Sequence, residues 1–347
     1  MPTIKEVADM AGVSVGTVSH VITGSVRVSE ELRTKVQAAI RDLNYHPNHV
    51  ARSLKTSRTR TLGIVVPDLT ISFFPQIIRG AETAAREREY SLIAVNSDDD
   101  GERQKELLSL LRSQRIEGIL LAIAAAPTPV GQISKIVEAG IPLVCFDRIP
   151  DRLSVDSVSV DDLTAARMGV EHLLSIGNRR IAVVTGPLTL KNERQRLLGY
   201  KRALKSAGLP LDKELIWQGN LRPAEVAALC SERFRKVARH PDAIFSTNGP
   251  SGLGVLRGMR DCGLRTPDDI AFATFDELTI DGLFTPSITT VVQPAYDIGY
   301  RAAELLLKRI ESEDFTGRRY ITIRLPATLR IRESSGKRSS LPTISSA

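Results

Sequence analysis

The residues best placed to do chemistry are polar groups at the ends of short apolar runs. Asp147 and Arg148 close PLVCF, Asn248 follows AIFST, and Asp276 follows AFATF. Asn192 and Arg196 open a periodic stretch just after VVTGP, and Phe73 and Phe74 come shortly after LGIVVP. Carboxylate, guanidinium and amide groups converging with aromatic rings suit a polyhydroxylated ligand. Taken singly, each has a structural reading: Asp147 capping a turn, Arg196 bridging a surface carboxylate, Phe73 and Phe74 filling a core. Their joint placement at run ends favours the ligand.

Other chemistries lack support. His20, His46, His49, His172 and His240 fall away from these run ends, and no nucleophile–base pair stands out. GVSVG (12–16) matches the GxSxG nucleophile elbow, but that elbow needs a strand before it, and here a helix precedes. Cys145, Cys230 and Cys262 form no CxxC or Cys/His cluster, so neither a zinc site nor a disulfide framework is expected. No GxGxxG or GxxxxGK[ST] follows an apolar run. The expectation is a protein with no catalytic residue, metal or cofactor.

The elements that must position these groups form an alternating series. LGIVVP, a helix near 75–89, SLIAVN, a helix near 102–113, GILLAI, a helix near 131–139 and PLVCFD make one set. A helix near 162–176, RIAVVT, a helix near 192–206, LIWQG, a helix near 223–238, AIFST, a helix near 250–262 and IAFATFD make a second. Strand–helix alternation implies parallel sheets covered by helices. Two sets with a switch near 160 imply two lobes, completed by the late strands TTVVQ and ITIRLPATLRIR that cross back. Ligands of such sheets bind at the carboxyl ends of the strands, here between the lobes.

At 347 residues the chain suggests two or three domains. Of the net charge of +7, residues 1–61 carry +4 (nine Lys/Arg, five Asp/Glu) and residues 318–347 carry +6 (seven against one), leaving −3 for the middle. A basic head on a mildly acidic body fits a nucleic-acid module joined to a different one. The opening MPTIKEVADMAG has charges where a signal peptide needs an apolar run, and no apolar stretch reaches transmembrane length, so a cytoplasmic protein without a membrane partner is expected.

The head reads as three capped helices. Thr3 caps Ile4–Ala11, with Glu6 completing a capping box, and Gly12 ends it. Ser14 caps Val15–Ile22, stopped by Gly24, and Ser29 caps a third helix whose box is incomplete because Leu32 stands at its fourth position. Three short helices with a tight turn between the first two are a helix-turn-helix, whose second helix enters the major groove. There His20 can hydrogen-bond a base edge, Val15 and the Thr17 methyl can pack on thymine methyls, and Gly16 allows close approach. Ser14, Thr17 and Ser19 suit phosphate oxygens, and Thr3 is placed with this DNA-contacting set. Pro47 breaks the chain, and a short helix over 49–55 then leads into a polar, basic linker at 56–61. So short a helix is marginal in water and is expected to fold on DNA. Residues 334–347 are Ser-rich and are expected to be disordered, with no zipper to build a tetramer.

TIKEVADMAGVSVGTVSHVI, followed by LNYHPNHVARSLKTSRTRTLGIVVPD and extending to LPATLRIRESS, resembles the LacI family of bacterial transcription regulators. The resemblance implies an all-α helix-turn-helix head joined by a hinge helix to an α/β, two-lobed domain of the periplasmic-binding-protein type with parallel sheets. The expected boundaries are 1–46 for the head, 47–61 for the hinge and linker, and 62–333 for the effector domain, with lobes 62–161 plus 293–323 and 162–292 plus 324–333. It implies that Ala51 and Leu54 of two subunits enter the minor groove, Leu54 as a wedge, with Arg52 and Lys55 on phosphates. Packing of Leu54 on the protein's own body is the alternative. It further implies a homodimeric repressor on a near-palindromic, double-stranded operator, controlled by a small effector. Asp147, Arg196, Asn248 and Asp276 would hold that effector while Phe73 or Phe74 stacks on it. Two departures bear on specificity. Thr23 stands where the family usually has Asn, and Asn248–Gly249 where sugar-binding members have Asn–Asp. Leu190 and Leu221 occupy positions where purine-binding members carry an Arg and an aromatic. A sugar or polyol effector is therefore expected, with a purine-type or other non-sugar effector acting as corepressor as the alternative and a solute-binding transport protein as the more distant one.

Overall fold

The computed structural model describes residues 2–24, 26–45, 58–125, 130–151, 153–236, 239–278, 285–312 and 319–336. They fall into two compact units, residues 1–59 and 60–347.

The first unit is built on caps. In α1 (Ile4–Ala11) the Thr3 hydroxyl accepts from the Glu6 amide at 3.3 Å, and the Glu6 carboxylate accepts from the Thr3 amide at 2.7 Å. Gly12 stops the helix at φ 66°, a left-handed conformation that glycine adopts without a Cβ clash. In α2 (Val15–Thr23) the Ser14 hydroxyl takes the Thr17 amide at 3.1 Å. α3 (Glu30–Asp42) departs from expectation: Ser29 sits at the cap position, but its side chain makes no capping bond. With Leu32 where a reciprocal acid would stand, only half of a capping box is available, and Glu30 and Glu31 in the first turn supply the favourable charge. Val7, Ala8, Ala11, Val18, Val36, Ala39 and Tyr45 form the core of the unit.

The second unit has two lobes, each with a six-stranded sheet. In the first, β1 (Thr61–Val66), β2 (Ser91–Asn96), β3 (Gly118–Leu121), β4 (Leu143–Phe146), β5 (Asp156–Val160) and β11 (Thr322–Leu325) are ordered β11-β5-β4-β3-β1-β2, all parallel. In the second, β6 (Ile181–Thr185), β7 (Ile216–Gln218), β8 (Ala243–Ser246), β9 (Ala271–Phe275), β10 (Thr289–Val292) and β12 (Thr328–Arg330) are ordered β12-β10-β9-β8-β6-β7, with β12 antiparallel. Helices α4 (Phe73–Glu87), α5 (Gly101–Ser113) and α6 (Val130–Glu138) connect the strands of the first lobe. α7 (Asp162–Ser175), α8 (Lys191–Ser206), α9 (Pro223–Lys236) and α10 (Gly249–Asp261) do so in the second, and α11 (Ala295–Glu311) returns to the first.

The chain crosses between lobes three times: between β5 and α7, between β10 and α11, and between β11 and β12. The third crossing follows Leu325, so β11 keeps residues 324–325 in the first lobe, two residues beyond the expected boundary. The tail boundary is corrected as well. Ser334 and Ser335 are 0% and 1% exposed in a short 3-10 turn, Glu333–Ser335, rather than disordered. Ser334 Oγ donates to the Phe272 carbonyl and accepts the Thr289 amide, both at 2.8 Å, and Ser335 Oγ lies 2.7 Å from His172 Nε2. Small hydroxyls with a full set of partners are buried at little cost. Residues 337–347 lie outside the described residues.

One close approach sets the mouth of the first lobe. A Cβ on Gly80 of α4 would lie 2.0 Å from the Tyr296 carbonyl oxygen, and one on Gly299 of α11 would lie 1.9 Å from the Ile77 carbonyl oxygen. Only paired glycines let these backbones meet, and this brings Phe73 and Tyr296, at the two helix starts, to one cavity.

Candidate functional site

The expected cleft residues converge. Asp147 follows β4 and Asp276 follows β9, equivalent strand ends of the two lobes, both with left-handed backbone (φ 53° and 67°) that turns the chain sharply at the strand tip. Arg196, 2% exposed on the first turns of α8, links them. Its Nη2 lies 3.6 Å from Asp147 Oδ1, its Nε is 2.7 Å from Asp162 Oδ1, its Nη1 donates to the Thr247 carbonyl at 2.9 Å, and its plane covers the Phe275 ring at 3.8 Å. Asp147 belongs to the first lobe and Arg196 to the second, so this ion pair spans the cleft. Arg194–Asp151, Thr189 Oγ1 donating to the Ala125 carbonyl, and Ser72 Oγ donating to the Glu277 carbonyl span it too.

The other expected residues are less free for a ligand. Arg148 is 5% exposed, pairs with Asp99 at 2.6 Å and stands over Phe74. Asn248 caps α10 through the Ser251 amide and donates Nδ2 to Glu193 Oε1 at 3.0 Å, so both ends of its amide are engaged. Asn192 is buried, its Oδ1 held by the Glu193 amide. Phe73 lines a cavity of about 520 Å³ between the lobes, together with Ser72, Gln76, Asp276, Gln293 and Tyr296. Phe74 is 2% exposed in the core and packs edge-on against Phe73 at 5.3 Å. Of the two rings, Phe73 is the one that faces this cavity.

Four participants were not foreseen. Asp162 and Gln293 sit at two of the three crossings and bind Arg196 and Asp276; Gln293 Nε2 donates to Asp276 Oδ1 at 2.8 Å. Glu193, 1% exposed, accepts from the Gly186 amide, Thr247 Oγ1 and Asn248 Nδ2. Tyr296 adds a half-exposed ring to the cavity wall. Burial pushes Asp147 up to about 7, against the pull of Arg196 and Arg148, and raises Asp162, Glu193 and Asp276 as well. Among the described residues, six buried side-chain polar atoms make no hydrogen bond, and two of them belong to this network: Arg196 Nη2, a donor, and Gln293 Oε1, an acceptor. Such atoms are costly unless something else satisfies them. The three cysteines are free, and among the described residues no group of His, Cys, Asp or Glu is arranged to hold a metal ion.

In the head, α2 presents Val15 (43% exposed), Gly16 and His20 to solvent, with Thr17 and Ser19 half-buried beside them. Ser14 Oγ lies 3.0 Å from Thr17 Oγ1, so these hydroxyls form a pair at the start of the helix. Thr3, at the start of α1, has its hydroxyl engaged by the Glu6 amide. Ala51, Arg52, Leu54 and Lys55 lie outside the described residues.

The family model of the bacterial regulatory proteins of the lacI family matches residues 3–48. The model described as periplasmic binding proteins and sugar binding domain of the LacI family matches residues 59–329. The chain belongs to the LacI family. It is a DNA-binding transcription regulator of that family, with a helix-turn-helix head and a two-lobed α/β domain. Relatives include the HTH-type transcriptional repressor PurR of Vibrio atlanticus, 34% identical over 90% of this chain and 93% of the relative. The ribose operon repressor of Escherichia coli is 34% identical over 89% and 93%. Among solved structures, the Lac repressor dimer bound to operator and the anti-inducer ONPF aligns with a TM-score of 0.83 at 25% identity, covering 96% of this chain and 99% of that one. Among the described residues, no helix is long and apolar enough to cross a membrane.

Proposed function

We propose that this LacI-family protein is a repressor that binds a near-palindromic operator as a homodimer and is controlled by a sugar- or polyol-type effector in the cleft. The carrying observation is that two buried polar atoms, Arg196 Nη2 and Gln293 Oε1, make no hydrogen bond in a network joined across both lobes. A hydroxyl is both donor and acceptor, so a polyol carries the groups that each of the two atoms lacks. The names of the relatives divide between PurR and the ribose operon repressor, so they do not choose the effector. The chemistry of the cleft favours hydroxyls: its carboxylates are acceptors, and Leu190 and Leu221 pack into the apolar cluster that includes Val65, Ile123 and Cys145. Neither leucine offers the hydrogen bonds a purine edge needs.

Control follows from the same geometry. Asp162 and Gln293 are crossing residues, so a ligand held by Arg196 and Asp276 acts on the segments about which the lobes turn. The usual scale of such coupling is about 1–3 kcal/mol. In this reading the head reads bases through α2, Leu54 wedges the minor groove, no reaction is catalysed, and the protein works in the cytoplasm where its DNA is. A thermal-shift screen of sugars, polyols and purines, repeated on Asp276→Ala, tests the cleft. A polyol that stabilises the parent and not the variant is expected; a hit unchanged in the variant removes the assignment. Unaltered operator affinity in Leu54→Ala would remove the wedge.

A further inference from the structure

Building on the cleft as the effector site, we propose that the effector carries a protonated amine among its hydroxyls, as an amino sugar or aminopolyol does, and that Asp147 receives the amine. The interior of the site holds more acid than base. Asp147, Asp162, Glu193 and Asp276 surround Arg196, while Asp99 faces Arg148. Both guanidinium groups are already engaged: Arg148 with Asp99 at 2.6 Å, and Arg196 with Asp162 at 2.7 Å and with the Thr247 carbonyl. Glu193 has three donors, and Asp276 has the Gln293 amide and the Gly249 backbone amide. Asp147 differs. Its carboxylate receives no hydrogen bond from any described residue and has Arg196 Nη2 only at 3.6 Å.

A buried carboxylate without a hydrogen bond is expensive, and it becomes favourable when a cation arrives with donors of its own. The same site shows independent signs of a guest, because Arg196 Nη2 and Gln293 Oε1 make no hydrogen bond although both side chains are more than nine-tenths buried. Arg196 Nη2 lies 3.6 Å from Asp147 Oδ1, so a ligand whose hydroxyl accepts from the first has its neighbouring substituents near the second. At the rim, Arg330 and Arg332 both pair with Glu277, at 3.2 and 2.5 Å, so the excess of acid lies inside rather than at the mouth. Among the described residues, these carboxylates are not grouped to hold a metal ion.

The test is calorimetric titration of the full-length protein, near neutral pH, with ligand pairs that differ only by amine for hydroxyl. The pairs are D-glucosamine and D-glucose, D-galactosamine and D-galactose, D-mannosamine and D-mannose, and 1-amino-1-deoxy-D-glucitol and D-glucitol. The amine of at least one pair is expected to bind on the order of tenfold tighter, about 1.4 kcal/mol. Asp147→Asn, which keeps the shape and removes the charge, should bring that ratio close to one. A neutral member binding as well as its amine overturns the amine and leaves the cleft reading standing. A ratio unchanged in Asp147→Asn overturns the role of Asp147. Binding by no pair, with or without binding of a purine, overturns both readings.

Discussion

Arg196 and Asp147 face each other across the cleft at 3.6 Å, one on the second lobe and one on the first. The separation is long for a hydrogen bond and short for a Coulombic pair. The arginine is bound more tightly to Asp162 at 2.7 Å, so the link between lobes is the weaker arm of a buried network. This is the arrangement expected where a ligand, rather than the protein alone, completes the bridge.

Asp147 should make the protein less stable as pH rises. Its folded-state value, pushed up to about 7 by burial, lies above the ordinary carboxylate value of 3.8. The folded state therefore holds a proton that the unfolded state has released, and stability falls between about pH 4 and pH 7, by at most about 4 kcal/mol from this group. Asp162, Glu193 and Asp276 shift in the same direction. Denaturant unfolding across that range should show a shallower decline in Asp147→Asn than in the parent. Identical slopes would mean that Asp147 is ionised throughout.

Gly299→Ala should destabilise the effector domain and open its cavity. The added Cβ would stand 1.9 Å from the Ile77 carbonyl oxygen, a backbone atom that cannot swing aside. Separating α4 from α11 costs about 3 kcal/mol or more, roughly 6–12 °C in melting temperature for a domain of this size. Because Phe73 and Tyr296 start these helices, effector affinity should fall with it. A variant that melts with the parent would show that the helices can part freely.

Ser334→Ala should cost about 1–3 kcal/mol, because it leaves the buried Thr289 amide and Phe272 carbonyl without their shared partner. Thermal unfolding of the full chain reads this directly. No change would place these residues outside the folded unit after all.

Much of the frame was legible in the sequence, and the failures have physical causes. Helices expected near 102–113 and 162–176 run Gly101–Ser113 and Asp162–Ser175, because caps and apolar periodicity are local signals. β5 is hidden in VDSVSV: Asp156, Ser157 and Ser159 are buried, and Asp156 is paired with Arg309, so its polar letters do not read as a core strand. The helix Ala295–Glu311, between the late strands TTVVQ and ITIRLPATLRIR, is absent from the expected series of elements. Strand-end residues such as Asp147 and Asp276 were legible because topology places strand ends at the site. Asp162, Glu193 and Gln293 were not, since only the tertiary fold brings an acid at a helix start and a glutamine at a crossing to Arg196 and Asp276. Phe73 and Phe74 are adjacent in sequence, and only the packing decides which of them lines the cavity.

His20→Ala should flatten operator preference while leaving general DNA affinity largely intact. His20 is exposed on α2, one turn on from Gly16, and of the exposed residues Val15, Gly16 and His20 only its side chain can hydrogen-bond a base edge. Losing one such contact removes about 1–3 kcal/mol of discrimination. Phosphate-directed groups are untouched, so the dependence of affinity on salt should keep its slope. Competition between operator and random duplex, repeated at several salt concentrations, separates the two effects. A drop in affinity shared equally by both duplexes, with a shallower salt dependence, would identify His20 as a phosphate contact and move base reading to Val15 and Thr17.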